Sequence, residues 1–277
     1  MDTSTVEAKA NTLIVDGVGT EYGHFKNLYT AAAAATSGDR IKVTVSGAEE
    51  TAGFIKSGVS AEFDSADGSG VYNLNAGVFL YGNLNIVNQS LTIATQFGGD
   101  GTITVGQDGK LFWNAAGAAV SELNVNGMLK VNENLAVEAL RLTGGTAEIS
   151  AGKTLSINHL TVSGSAAIIG TPDFHGRLPS VHVEAGASLT VDSAAASVLA
   201  SGKILLLEGD LKVNGDLAWN TAGGLFRRND GSRIFISGTL SGLDKLVIDN
   251  GKTLNINAGR IVGASGTNSI TVGSEST

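Results

Sequence analysis

Leu142-Thr-Gly144-Gly145-Thr-Ala147-Glu-Ile149 and Val162-Ser-Gly164-Ser-Ala166-Ala-Ile168 are two copies of one phrase inside the stretch Gly127–Ile168. They lie roughly 20 residues apart, the period of folds in which each repeat is one coil. Between them Gly152-Lys-Thr-Leu155-Ser-Ile157-Asn158 forms a second phrase, which returns as Gly251-Lys-Thr-Leu254-Asn-Ile256-Asn257. Such a spacing accommodates two or three short strands with their corners, but not a crossover helix. The expectation is a stack of coils in parallel register, with Ala147 over Ala166 and Ile149 over Ile168.

Working outward, short alternating segments fill the chain from Val71 onward. Leu84-Asn-Ile86, Leu91-Thr-Ile93, Ile103-Thr-Val105, Leu111-Phe-Trp113, Leu123-Asn-Val125 and Leu129-Lys-Val131 come first. Leu140-Arg-Leu142, Leu155-Ser-Ile157, Leu160-Thr-Val162, Val181-His-Val183 and Leu189-Thr-Val191 continue them, and the series runs to Leu254-Asn-Ile256. Each presents aliphatics to one face and polar groups to the other. Glycine precedes many by a few positions, as at Gly82, Gly101, Gly109, Gly127, Gly186 and Gly209. Asn88, Asn114, Asn132, Asn158, Asn214 and Asn257 end strands and read as corner residues, since asparagine tolerates left-handed backbone. One coil would bury too few aliphatics to offset the ~1–2 kcal/mol per residue of lost backbone freedom. A stack succeeds because every coil also covers its neighbours. An antiparallel β-sandwich is the structural rival.

Composition agrees with an elongated repeat. The chain has 277 residues, 38 glycines, 2 prolines, 5% aromatic and 16% charged residues. A net charge of −8 excludes the basic footprint of a nucleic-acid binder. No cysteine is present, so neither disulfides nor thiolate chemistry are available. No signal peptide is legible in residues 1–12, and the alanine run at Ala31–Ala35 is too short to span a bilayer.

The opening has a different period. Thr12–Asp16 reads as a strand after a polar lead-in; Phe25 to Thr36 reads as a helix with Phe25, Leu28, Ala32 and Ala35 on one face. Gly38 is placed to end it, and Asp39-Arg-Ile41-Lys-Val43 alternates as a strand. Tyr29-Thr-Ala-Ala-Ala-Ala-Ala35 followed by Ser37-Gly38-Asp39-Arg40-Ile41-Lys42-Val43 resembles the N-terminal cap of right-handed parallel β-helix proteins of the pectate-lyase-like group. A lone βαβ unit is the blander reading. The expected organisation is therefore all-β: a single-stranded right-handed parallel β-helix (β-solenoid), with residues 1–45 as lead-in and helical cap and residues 46–277 as coils of one continuous domain. Residues 46–70 are polar and read as long irregular turns.

The search for chemistry starts from that resemblance, because pectate-lyase-like folds often act on acidic polysaccharides. A polygalacturonase pattern requires Asn-Thr-Asp, Asp-Asp, Gly-His-Gly and Arg-Ile-Lys in order. Here no Asp-Asp pair occurs, His175 lies in Phe-His-Gly, and Arg40-Ile41-Lys42 comes first instead of last. Glu148 and Asp192 stand isolated on their strands. His159 and His182 are spaced to meet on adjacent coils, but no third ligand accompanies them, so polar surface is the plainer reading. Asp64 and Asp67-Gly68 read as turn residues, since EF-hand spacing is missing. Asn88-Gln-Ser90 matches a glycosylation sequon that is common by chance. No metal and no cofactor are expected.

Two interruptions carry the candidate binding residues. Thr171–Pro179 holds both prolines and offers Phe174, His175 and Arg177; the second, from Trp219 to Asp230, offers Trp219, Phe226, Arg227 and Arg228 and is the most basic point of the chain. Aromatic and arginine side chains are favoured binding anchors, against the alternative that they pin long turns to the wall. The Gly-x-x-Leu-x-Ile/Val-Asn phrase, low aromatic content and acidic balance resemble passenger regions of bacterial autotransporters and β-helical adhesins. That resemblance implies a secreted or cell-surface bacterial rod that presents loops to carbohydrate or host surface proteins, with no membrane insertion of this segment. A polysaccharide lyase or glycoside hydrolase of β-helix fold and a phage or assembly shaft are the alternatives. No C-terminal counterpart of the helix is legible, so the chain is expected to continue into a longer, membrane-anchored protein.

Overall fold

The computed structural model describes residues 11–170, 172–174, 180–192, 204–214, 217–218, 226–228, 233–241, 245–248, 255–262 and 269–272. Among the described residues all strand pairs are parallel, and consecutive coils pair strand over strand, which makes the fold a right-handed β-helix with one helical cap. The antiparallel sandwich is thereby excluded. From Arg40 to Phe174 each coil visits three walls. The first is a 13-stranded sheet running through Arg40–Val43, Ser60–Asp64, Asn83–Asn88 and Thr102–Val105 to Ser180–Val183 and beyond. The second is a 12-stranded sheet that includes Val71–Leu74, Ser90–Ile93, Lys110–Trp113 and Met128–Val131. A third wall starts as the 3-stranded sheet Gly53–Ile55, Val78–Leu80 and Phe97–Gly98.

From Ala118 to Val162 the third and first walls are formed by one continuous strand per coil, and they separate again as Pro172–Phe174 and Ser180–Val183. Ala118–Val125, Leu135–Leu142 and Leu155–Val162 are each 8 residues long. What alternation suggests are two strands, Leu155–Ile157 and Leu160–Val162, is one strand bent where Asn158 and His159 both turn outward. The paired ladder skips the residue at the equivalent bend, Ser121 against Glu138.

Alternation fills the interior as the aliphatic pattern demands. Leu84, Ile103, Leu123, Leu140, Leu160 and Val181 form one fully buried column along the first wall, rung over rung. The repeated phrase stacks with a slip. Leu142 lies under Val162, but Ala147 lies under Ile168, not under Ala166. The first copy turns its corner through Gly144 and a left-handed Gly145 (φ 61°), whereas the second turns at Ser163-Gly164 and starts its strand earlier. A slip of two keeps every side chain on its own face, so the core tolerates it.

Corner glycines are explained by coil-on-coil contact. A Cβ on Gly127 would stand well inside the contact distance of the Gly106 and Gly109 carbonyl oxygens; one on Gly145 would strike the Gly127 carbonyl, and one on Gly164 the Thr143 carbonyl. Asn114 and Asn132 share one corner position on successive coils, whereas Asn88 and Asn158 stand elsewhere. At the end of the second wall Asn132 donates to Asn114 (2.9 Å) and accepts from Ser150 (2.7 Å), a ladder through three coils. Asn88 closes another corner by donating to the Ser65 carbonyl, and Asn158 sits at the strand bend beside Glu138.

The cap is shorter than the sequence period suggests and better anchored. Its helix is Leu28–Ala34, because Asn27 is extended and accepts from the Thr30 amide, while Phe25 pairs as a strand with Val15. The segment read as irregular turns, residues 46–70, supplies the strands Gly47–Glu49, Gly53–Ile55 and Ser60–Asp64, and it grips the helix at both ends. Glu49 accepts from the Leu28 amide (2.7 Å) and from the Tyr72 hydroxyl, and Lys56 donates to the Ala33 and Ala35 carbonyls (2.8 and 2.9 Å). A carboxylate at the helix start and an ammonium at its end both complement the macrodipole. Glu49 is 2% exposed, and burial raises its carboxyl against the hydrogen bonds that favour the anion. Asp39 closes the loop after the helix by accepting from the amides of Thr36 and Asn11 and from the Thr36 hydroxyl, which lowers its carboxyl below the usual range.

Candidate functional site

The walls determine what each outward side chain can meet. On the first wall one outward row runs Lys42, Glu62, Asn85, Thr104, Asn124, Arg141, Thr161 and His182, one residue per coil. Charges in and beside these rows bind their neighbours. Arg40 pairs with Glu62, Lys42 with Asp64 (2.8 Å), and His182 with Glu208 on the next coil (2.8 Å). On the second wall Lys130 meets Glu148 (2.6 Å), so that carboxylate is not isolated, and Lys153 meets Glu133 (2.7 Å).

His159 and His182 do lie on adjacent coils, two residues out of register, since His159 is level with Ser180 and His182 with Thr161. They point their chemistry in opposite directions along the axis. His159 approaches Glu138 (3.8 Å) on the coil before it, and His182 bonds Glu208 on the coil after. Among the described residues no group of three or more His, Cys, Asp or Glu side chains converges as a metal site. Asp67 accepts from the Ser69 amide and hydroxyl, which lowers its carboxyl and identifies the Asp-Gly segment as a turn. The sequon asparagine Asn88 has its amide engaged with Ser65, and Gln89 between the sequon ends is 1% exposed.

Of the sequence-predicted binding residues, Phe174 ends the strand Pro172–Phe174, level with Ile157. Phe226, Arg227 and Arg228 form a strand level with Leu205, Leu206 and Leu207, and thus extend the first wall. His175, Arg177 and Trp219 lie outside the described residues. The backbone brings neither cluster to the other by strand pairing among the described residues.

A different surface emerges on the third wall. Its outward positions are Phe54, Phe79 and Gly98, then Ala119, Ala136, Ser156 and Asp173. Phe54 is 51% exposed and Phe79 36%, with Tyr81 beside them at 49%. Two shallow grooves flank the middle of this wall. One, of about 360 Å³, is lined by Gly99, Ser121, Glu138, Ser156 and Asn158 among others; the second, of about 520 Å³, by Thr95, Gln96, Asn114 and Glu133 among others. The signal was present in the sequence. Gly53-Phe54-Ile55 and Val78-Phe79-Leu80 place an aromatic where alternation calls for a polar residue.

Among the described residues no helix is long and apolar enough to cross a membrane. Comparison with protein-family models, with curated proteins and with solved structures finds no match to this chain.

Proposed function

We propose that this chain is a non-enzymatic β-helical rod, secreted by or displayed on a bacterial cell, that presents its outer surface to glycans, matrix or other cells. The observation that carries the reading is how the outward charges are used. Glu62, Asp64, Glu133, Glu148 and Glu208 each meet a cationic or histidine side chain of a neighbouring coil. Glycoside hydrolysis needs two carboxylates aimed at one bond. Here these carboxylates are aimed at the wall itself, where they tie coil to coil and stiffen the stack. Function then resides in what the rod carries, since a fold of this kind does not specify a chemistry.

The test pairs a glycan and matrix-protein array with depolymerisation assays on pectin, alginate and chondroitin. Binding without new reducing ends or unsaturated products is expected. Turnover of any of these polymers would sink the reading, and a stable trimer in solution would move it toward an assembly shaft.

A further inference from the structure

We infer that the third wall is a binding track for a neutral, hydroxyl-rich glycan chain lying along the axis, with Phe54 and Phe79 as its stacking platform. This deepens the surface-rod reading and rests on it. Phe54 and Phe79 occupy the same outward position on consecutive coils, while Ile55, Val78 and Leu80 fill the interior beneath them. Neither ring belongs to the packed interior. A half-open aromatic pair on a wall otherwise surfaced by small and polar side chains is the kind of exposed apolar patch that marks a contact surface.

Chemistry selects the occupant. The C–H face of a sugar ring stacks on the face of an aromatic ring, and its hydroxyls then seek amides, hydroxyls and carboxylates at the edge. The wall supplies both parts. Beyond Phe79, Gly98 keeps the surface low, since a Cβ there would stand 3.3 Å from the Phe79 ring. Ala119, Ala136 and Ser156 continue that low floor and line the first groove. Along the grooves stand Gln96, Asn114, Glu133, Ser121, Glu138 and Asn158, and neither groove is lined by a lysine or arginine. Lys153, which meets Glu133 (2.7 Å), is already engaged there, so an acidic polysaccharide would find no further lysine or arginine lining either groove, on a chain of net charge −8. A neutral polymer pays no such penalty. Spacing agrees as well: paired strands lie about 4.8 Å apart, close to the rise of one residue in an extended β-linked glycan, so successive sugars would meet successive coils.

Affinity electrophoresis of the full chain through gels containing hydroxyethylcellulose, arabinoxylan or polygalacturonate tests the proposal. Retardation by at least one neutral polymer and none by polygalacturonate is expected. The double variant Phe54→Thr/Phe79→Thr, on exposed strand positions that suit threonine, should keep the parent melting curve and lose at least about tenfold in affinity. A Thr104→Ala control on the first wall should bind as the parent does. Failure of both neutral polymers, equal retardation by polygalacturonate, or retardation unchanged in the double variant would overturn the track. Binding that survives the double variant but disappears in Arg227→Ala/Arg228→Ala would also overturn it, while leaving the surface-rod reading intact. Polymer turnover would instead sink that reading and leave the track's own binding result to be judged on these gels.

Discussion

At the scale of the residue, glycine performs two separate jobs in this chain. Gly152 adopts a left-handed backbone (φ 73°) with nothing near its missing side chain, whereas Gly127 has its would-be Cβ against two carbonyl oxygens of the preceding coil. Gly152→Ala should therefore cost only conformational strain, about 1–2 kcal/mol. Gly127→Ala forces coils apart and should cost at least as much as overpacking elsewhere, about 1–3 kcal/mol, with loss of unfolding cooperativity around it. Urea melts of the two variants against the parent check the order. Sequence alone marks both as corner glycines; the difference lies in which backbone passes beneath, and that depends on register. Register was the least legible quantity, because a slip of two, such as the one placing Ile168 over Ala147, leaves every alternating residue on its own face.

At the scale of the element, the cap shows where local pattern ran out. The alanine run announced a helix, and Gly-Asp announced the turn after it. The residues that hold the helix, Glu49 and Lys56, come from a stretch whose strands are only 3 residues long, too short for alternation to register. The interior position at Glu49 is also filled by a carboxylate in place of an aliphatic. Yet Val59-Ser-Ala61-Glu-Phe63 alternates plainly, and its buried members Val59, Ala61 and Phe63 were readable. The cap's carboxylates oppose one another in acid. Asp39 titrates below its unfolded value near 3.9, so its contribution is present above that pH and is lost as pH falls through the folded value. Asp16, held down to about 2 by His24 and by the amides of Gly19 and Val18, behaves likewise. Glu49 has the opposite sign: its carboxyl is raised by burial, so its contribution is fully present below its unfolded value and declines as pH rises through the folded one. Asp39→Asn should accordingly melt below the parent at neutral pH, with the gap closing as pH falls below about 3.9. Melting curves at a series of pH values provide the measurement, and a gap that persists unchanged in acid would contradict the assignment.

At the scale of the whole molecule, stability is shared along the axis. Leu155 is fully buried, level with Leu135 on one coil and Pro172 on the other. Leu155→Ala should cost about 2–5 kcal/mol through the cavity it leaves. Leu155→Asp should cost more, since it places an unpartnered charge in the stack, and should melt several coils together. Hydrogen exchange resolved along the chain would show the loss spreading to both neighbours; protection lost only at residue 155 would argue against a shared core. The fold was legible because parallel coils repeat the same aliphatic phrase, and that repetition survives irregular spacing. The candidate surface was less so. The stretches singled out for aromatics and arginine, Phe174 and Phe226–Arg228, begin as further rungs of the first and third walls. The exposed pair Phe54 and Phe79 becomes a pair only when coils 25 residues apart are stacked.

Unequal coil lengths have a practical corollary. Glu122 to Ala139 and Ala139 to His159 are successive rungs although the intervening chain differs in length, so extra residues are absorbed at corners without shifting the neighbours. Ala151 and Gly152 form such a corner, open to solvent. Foreign peptides grafted there would be held at a defined height on a rigid post, which makes this chain a ruler for placing epitopes at measured intervals.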